Sequence, residues 1–295
     1  MRYSKWRSQS AMEYLMTYGW AILIIAVVLG ALFQLGVFNT GTLSPRAPPG
    51  ACQVVRPSGP GSSMYVNLEG VCTGELPQYV AVFGGSSTQQ ILASNTQTLS
   101  NMQNGATWTV WFSVSPGASG GMAIADQVGG SPSTWIDYYF PGPTQLRYEA
   151  GTAPCDVLTS ASAIAPSAWY FATLVYSPSS NTVTGYLDNN FQGSCNSAGA
   201  STSDPGPLQI GKYLNNYLNG QVANFQIYNT TLSGPEVNAL YYEGVGGAPI
   251  RLQNLVAWYP LNGNANDYSG NNSNGQASGS GVSYSNQWAG SYTAP

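Results

Sequence analysis

Ala168-Trp169-Tyr170-Phe171-Ala172-Thr173-Leu174-Val175-Tyr176 is an almost unbroken apolar run. A strand with one wet face alternates polar and apolar side chains, so a run like this reads as a strand covered on both faces. The covering layers are legible on either side of it. Tyr79–Phe83, Thr107–Val114, Met122–Gln127, Trp135–Phe140, Gln145–Ala150, Trp169–Ser177, Thr182–Leu187, Leu208–Ile210 and Gly220–Tyr228 are rich in β-branched and aromatic residues. Gly, Pro, Asn and Ser clusters bound each of them, which predicts many strands joined by turns. Asp188-Asn189-Asn190 reads as a hairpin turn. One helix is predicted late in the chain: Ser233 suits the N-cap, Pro235 the first turn and Glu236 the third position after the cap. Val237, Leu240 and Tyr241 share a face of it, and Gly244 ends it.

The N-terminus follows different rules. Arg2, Lys5 and Arg7 precede Gln9 and Glu13, and Met16 through Phe38 carry no charge. About 20 apolar residues span a bilayer as a helix. The basic flank predicts a cytoplasmic N-terminus, with everything after Phe38 outside. A secretory leader has a shorter apolar core and a small-residue cleavage site, which Gln34-Leu35-Gly36-Val37-Phe38 does not supply. A plain signal anchor accounts for the charges and the length but not for a Gln and a Glu four residues apart just before the span. Between Asn39 and Gly61, Pro and Gly recur and cannot continue a helix, which predicts a spacer. Cys52–Val55 and Met64–Val71 are predicted to pair as a hairpin beside it.

Beyond residue 38 five basic and eleven acidic side chains remain, with no His. Abundant Tyr, Trp and β-branched residues at low charge predict an extracellular all-β domain rather than disorder. The acidic balance argues against nucleic acid as a partner. Cys52, Cys72, Cys155 and Cys195 all follow the apolar segment, and an even count outside the cell reads as disulfides. Neighbour pairing, Cys52–Cys72 and Cys155–Cys195, is the simplest of three connectivities.

Two stretches resemble known families. Arg7-Ser8-Gln9-Ser10-Ala11-Met12-Glu13-Tyr14-Leu15 resembles the processing site of archaeal type IV pilin-like proteins, which carry a class III signal peptide. The resemblance implies that a prepilin peptidase cuts between Ser8 and Gln9 and leaves the apolar helix on the mature chain. Ser8 stands where the family often has Gly. The cut removes the three basic residues and creates an α-amine at Gln9. Glu13 then pairs with that amine or with a sister subunit's as helices stack. The second resemblance runs over residues 79–246. Trp108–Phe112, Trp169–Tyr176, Gly185–Asn189, Leu208–Gly211, Leu218–Asn229 and Leu232–Tyr241 look like successive elements of a laminin G-like domain, in the concanavalin A-like lectin/glucanase group. Leu255–Gly263 with Asp267–Asn271 is similar to that family's opening strand and loop, yet follows its closing helix. Residues 250–295 therefore complete the first sandwich or begin a second copy, and completion is the reading favoured here.

The expected organisation is mainly β: a leader (1–8), an apolar transmembrane or pilin-type helix (9–38), a linker (39–61), an antiparallel jelly-roll sandwich with its preceding hairpin (62–249) and a completing segment (250–295). Without His, Ser-His-Asp, Cys-His and His-metal schemes are excluded. The Glu-x-Asp-x-x-Glu pattern of sandwich glucanases is absent. Asp126, Asp137, Glu149, Asp156, Asp188 and Asp204 are scattered along the chain, so catalysis is not expected. The laminin G-like resemblance implies binding of glycans or proteins, sometimes through Ca²⁺. Asp267 with Asn262, Asn264, Asn266 and Asn271 offers oxygens of the kind calcium takes, and an ordinary Asx-turn loop offers the same residues. Tyr213 and Tyr217 are the best exposed candidates for stacking on sugars, ahead of Trp135, Tyr138 and Tyr139. Asn229 and Asn271 head N-glycosylation sequons. These features point to a cell-surface or pilus subunit that oligomerises through its helix and presents an adhesive head to glycans or surface proteins. The alternatives are a monomeric signal-anchored lectin and a purely structural filament or surface-layer protein.

Overall fold

The computed structural model describes residues 9–34, 53–55, 65–67, 77–93, 104–129, 134–151, 155–197, 206–278, 281–293 and 295. The chain divides into two compact units, one built on the N-terminal helix and the other on β-structure. Helix α1 (Gln9–Gln34) contains Glu13. Its described side chains are exposed, among them Ile22, Leu23, Ile25, Val27 and Leu29. Those side chains are residues 16 and 18–30. Among the described residues no helix is long and apolar enough to cross a membrane. Ser8, Cys52 and Cys72 lie outside the described residues.

The first two strands, β1 (Gln53–Val55) and β2 (Tyr65–Asn67), form a separate two-stranded sheet, as the sequence predicts. The strands that follow are β3 (Val80–Gly84), β4 (Gln90–Ala93), β5 (Ala106–Val114), β6 (Met122–Gly129), β7 (Thr134–Gly142), β8 (Gln145–Gly151) and β9 (Asp156–Leu158). Next come β10 (Trp169–Ser177), β11 (Thr182–Leu187), β12 (Asn190–Asn196), β13 (Leu208–Ile210), β14 (Lys212–Tyr213), β15 (Asn216–Tyr217) and β16 (Asn219–Tyr228). Helix α2 (Gly234–Glu243) precedes β17 (Leu255–Tyr259), β18 (Gly275–Ser278) and β19 (Ser283–Ser285).

Two antiparallel sheets stack face to face. The larger runs β12-β11-β10-β5-β16-β3-β19, with β17 also on β16; the smaller runs β18-β4-β13-β6-β7-β8-β9. The last segment thus adds a strand to each sheet's β3 or β4 side and a third on β16. Between the sheets, Trp108, Val110, Phe112, Leu174 and Phe225 of the larger meet Ile91, Ile124, Tyr138, Phe140 and Tyr148 of the smaller. Tyr138 reaches across with its hydroxyl, which donates to the Trp108 carbonyl and accepts from Leu174 N–H at 2.9 Å. Trp108 and Leu174 are cross-strand partners, so one tyrosine ties the smaller sheet to a register position of the larger.

Trp169–Ser177 is buried on both faces because the larger sheet has a second cover. On its outer side, Trp111, Phe171 and Ala223 pack under α2 and the segment around Trp288 and Tyr292. Trp111 stacks on Tyr241 of the helix at 5.9 Å. The helix is held at its start by Glu236, which accepts from Ser233 N–H at 2.8 Å and from Arg251. Asp188 and Asn189 both have positive φ (47° and 65°), the signature of the tight hairpin turn whose twist matches its strands. Where the edge strands β12 and β9 of the two sheets face each other, Cys195 in β12 is bonded to Cys155 just before β9, with Cα atoms 5.7 Å apart. This is the neighbour pairing expected for that half of the cysteines.

Candidate functional site

Strand β16 changes partner along its length. Asn219–Val222 pair with β3, whereas Phe225–Tyr228 pair with β17. The register slips between Ala223 and Gln226, and Asn224 sits in the gap with φ of 48°. Asn tolerates this left-handed conformation better than most side chains do. The end of β17 and the approach to β3 meet opposite Asn224 and are stitched there. Asn224 N–H donates to Pro260 C=O at 3.2 Å, and Tyr79 N–H donates to Asn262 Oδ1 at 2.9 Å.

A cavity of about 300 Å³ opens at this junction. Its walls include Trp258 and Tyr268, whose rings lie 6.3 Å apart at 67°. Pro77, Pro260, Val245 and Gly246 also line it. Two amides face it, Asn224 and Asn262. Asn224 is buried in a relay. Its Oδ1 accepts from Trp258 Nε1 (2.8 Å) and Gln226 Nε2 (2.9 Å), and its Nδ2 donates to Gly247 C=O (2.9 Å). The Tyr228 hydroxyl donates to Gln226 Oε1 at 2.5 Å and accepts from Ile250 N–H at 3.2 Å. Burial raises the Tyr228 hydroxyl's pKa well above its ordinary value, while the Ile250 N–H pulls the other way. The phenol therefore stays a neutral donor at physiological pH. The arrangement offers two apolar ring faces and amide N–H groups: hydrophobic walls with a few placed donors, the usual make-up of a small-molecule site.

Asp267 lies behind this wall. Its Oδ1 accepts from Trp258 N–H and Ser269 N–H, each at 2.9 Å. Its Oδ2 accepts from Ser269 Oγ–H and Ser273 N–H, again at 2.9 Å. Asn264 Oδ1 accepts from Asn266 N–H at 2.9 Å, and Asn271 Nδ2 donates to the carbonyls of Leu255 and Val256 at 3.0 Å each. A cation on Asp267 would have to displace four N–H or O–H donors pointed at the same carboxylate, so these residues do not fit calcium. Among the described residues no group of three or more His, Cys, Asp or Glu is placed to hold a metal ion.

The tyrosines singled out from sequence sit elsewhere, on the short β14–β15 hairpin. Tyr213 and Tyr217 are half-buried. Tyr213 meets Tyr139 edge-on at 6.0 Å, and the Lys212 ammonium lies 5.9 Å from the Tyr217 ring. Leu214 at the tip is 64% exposed with φ of 52°. Tyr138 is core, and the side chain of Trp135 is outside the described residues. Of the sequon residues, Asn229 is half-buried and its Oδ1 accepts from Asn254 Nδ2 at 3.2 Å. Asn271 has its amide nitrogen committed to the two carbonyls named above.

Four of the six acidic positions that look scattered in sequence share one register line. Asp126 opposes Asp137, Asp137 opposes Glu149, and Glu149 opposes Asp156, so four acidic positions form one row across β6 to β9. Strand register, not chain spacing, aligns them. Arg147 offsets part of that charge: its Nη2 is 2.8 Å from Glu149 Oε2, its Nε is 3.8 Å from Asp156 Oδ1, and its guanidinium lies 4.7 Å over the Tyr139 ring.

A laminin G-like family model described as the concanavalin A-like lectin/glucanases superfamily matches residues 83–238. The chain belongs to this superfamily. Among solved structures, this lectin-like chain is similar to a candidate carbohydrate-binding protein from Bacteroides ovatus, at 12% identity and a TM-score of 0.51. That match covers 75% of this chain and 66% of the Bacteroides protein, just under two thirds of its length. A sialidase carbohydrate-binding module (CBM40) from Ruminococcus gnavus, bound to α2,3-sialyllactose, matches at 11% identity and a TM-score of 0.41, over 53% of this chain and 95% of the module. A pentraxin from Limulus polyphemus matches at 12% identity and 0.43, over 55% and 81%. Likeness at such identities describes the fold. No curated protein sequence matches the chain.

Sequence reasoning missed the pocket because its parts come from five separate segments. The one local signal was the set of Asn and aromatic residues in 258–271, which the resemblance directed toward a metal instead.

Proposed function

We propose that the chain is a surface-displayed carbohydrate-binding protein: a non-catalytic lectin-like head carried on an N-terminal apolar helix. The carrying observation is the cavity at the β3/β17 junction, where Trp258 and Tyr268 supply ring faces and Asn224 and Asn262 supply amides. Sugars present apolar C–H faces ringed by hydroxyls, and aromatic faces with fixed amides complement both. Family membership and the fold shared with the Bacteroides protein support this reading of the head.

The N-terminal part of the proposal rests on sequence. An uncharged stretch from Met16 to Phe38 behind a basic flank fits membrane insertion, and the exposed apolar side chains of α1 need an apolar cover. Processing between Ser8 and Gln9 by a prepilin peptidase, with Glu13 pairing to an α-amine, would let the helices of sister subunits bundle into a filament at the cell surface. Asn229 is the sequon better suited to carry a glycan, since modifying Asn271 would break its backbone bonds.

N-terminal sequencing of surface material is expected to begin at Gln9; Met1, or a residue after Phe38, would remove the pilin route. Electron microscopy of cells carrying Glu13→Ala is expected to show filaments lost. Unchanged surface display with no filaments in the parent would favour a monomeric anchored lectin. A glycan array probed with the full chain in detergent is expected to give a signal, and silence would leave a purely structural head.

A further inference from the structure

We infer that the junction cavity takes a single uncharged sugar residue at the end of a glycan, and holds it without a bridging cation. This rests on the carbohydrate-binding reading above and deepens it.

Size and shape come first. About 300 Å³ is at the small end of ligand cavities, which run from roughly 300 to 1,000 Å³. Trp258 and Tyr268 stand at 67° to one another, so they form a corner rather than a platform. A linear oligosaccharide lying along a surface stacks on rings that share a plane. A corner instead accepts one ring face against one wall and its edge against the other, which suits a chain end.

Charge comes next. Among the described residues, none of the side chains lining the cavity is a carboxylate, ammonium or guanidinium. Asp267, the nearest acid in sequence to Tyr268, has both oxygens committed to four protein donors. The described lining offers no cation to meet the anion of an acidic sugar, and an unpaired anion is costly in a partly desolvated site. Among the described residues, the cavity lining offers a bridging calcium no carboxylate.

Hydrogen-bond polarity narrows the class further. Asn224 Oδ1 accepts from both Trp258 and Gln226, and Asn262 Oδ1 accepts from Tyr79 N–H. What the two amides retain for a ligand is mostly N–H, both hydrogens of Asn262 and one of Asn224, with one acceptor lone pair left on Asn262. The sugar must therefore present acceptors, namely hydroxyl oxygens or the carbonyl of an acetamido group.

The test is a glycan array with the full chain in detergent, with and without EDTA, comparing the parent with Trp258→Ala, Tyr268→Ala and Tyr213→Ala. Circular dichroism checks each fold, and the exposed position of Tyr268 keeps its variant informative if Trp258→Ala unfolds. The expected result is binding to glycans with neutral termini, unchanged by EDTA, at least tenfold weaker in the first two variants and unchanged in Tyr213→Ala. Signal lost to EDTA and restored by CaCl₂, signal confined to acidic glycans, or signal indifferent to Tyr268→Ala would overturn this inference while leaving carbohydrate binding standing. No signal on any glycan would remove the carbohydrate reading itself, and this inference with it.

Discussion

The indole N–H of Trp258 lies 2.8 Å from Oδ1 of Asn224, although the two residues belong to different strands and are 34 positions apart. The cavity's largest apolar wall and its buried amide are thereby locked as one unit, and the Gln226–Tyr228 relay anchors that unit to the sheet. Preorganisation of this kind spares a ligand the cost of ordering the site.

Trp258→Phe separates wall from lock, since it keeps a ring and deletes the donor. A lost neutral hydrogen bond is worth about 1 kcal/mol, so ligand affinity should fall about fivefold with little change in binding stoichiometry. Titration calorimetry with a glycan found on the array measures it. An unchanged affinity would show that the bond is incidental to binding.

Asp188 gives the head an unusual pH response. Its side chain accepts from Phe171 N–H at 2.7 Å, but burial dominates and pushes its pKa from 3.8 up to about 6. The unfolded chain releases this proton near 3.8 while the folded chain holds it to about 6. Folding therefore takes up a proton in that window, and stability should fall as pH rises from about 4 to about 6, then level off. Allowing for solvent screening, the change is roughly 1–2 kcal/mol. Urea midpoints at pH 4.5 and 7 are expected to differ in that sense in the parent and to converge in Asp188→Asn.

Reduction of Cys155–Cys195 should loosen the sandwich at one rim, where the bond clips the edge strands β9 and β12 together. The bridge closes a loop of 40 residues. By chain entropy that is worth about 4 kcal/mol, so a Cys155→Ser/Cys195→Ser variant should show a clearly lower urea midpoint. Hydrogen exchange should rise first in residues 190–196.

Gly220 has no room for a side chain: a Cβ there would lie 2.3 Å from the carbonyl oxygen of Ser113. The obstacle is backbone of the neighbouring strand, which cannot rotate away. Gly220→Ala should cost about 2 kcal/mol or more and lower the melting temperature, whereas Gly117→Ala, with open space around it but positive φ, should cost less.

Asn271→Ala should destabilise the 260–274 loop by removing its donations to Leu255 and Val256, by about 1–2 kcal/mol in a thermal melt. Because that loop carries Asn262 and Tyr268, glycan affinity should drop in parallel.

Local pattern alone determined the sandwich character. Trp169–Ser177, Thr182–Leu187 and Leu208–Ile210 are strands over the ranges their composition predicts, because short runs rich in β-branched and aromatic residues between turn residues favour strands over helix. The same holds for α2, whose start is written in Ser233, Pro235 and Glu236. Tertiary structure alone decided the rest. The strands Gln90–Ala93, Asp156–Leu158, Asn190–Asn196, Gly275–Ser278 and Ser283–Ser285 are short or polar, and they are strands because a neighbour offers hydrogen bonds, which no local pattern encodes. Register brought Asp126, Asp137, Glu149 and Asp156 into one row. The partner change along β16 created the cavity, and Trp258 finds Asn224 only when β17 closes the gap that β3 leaves.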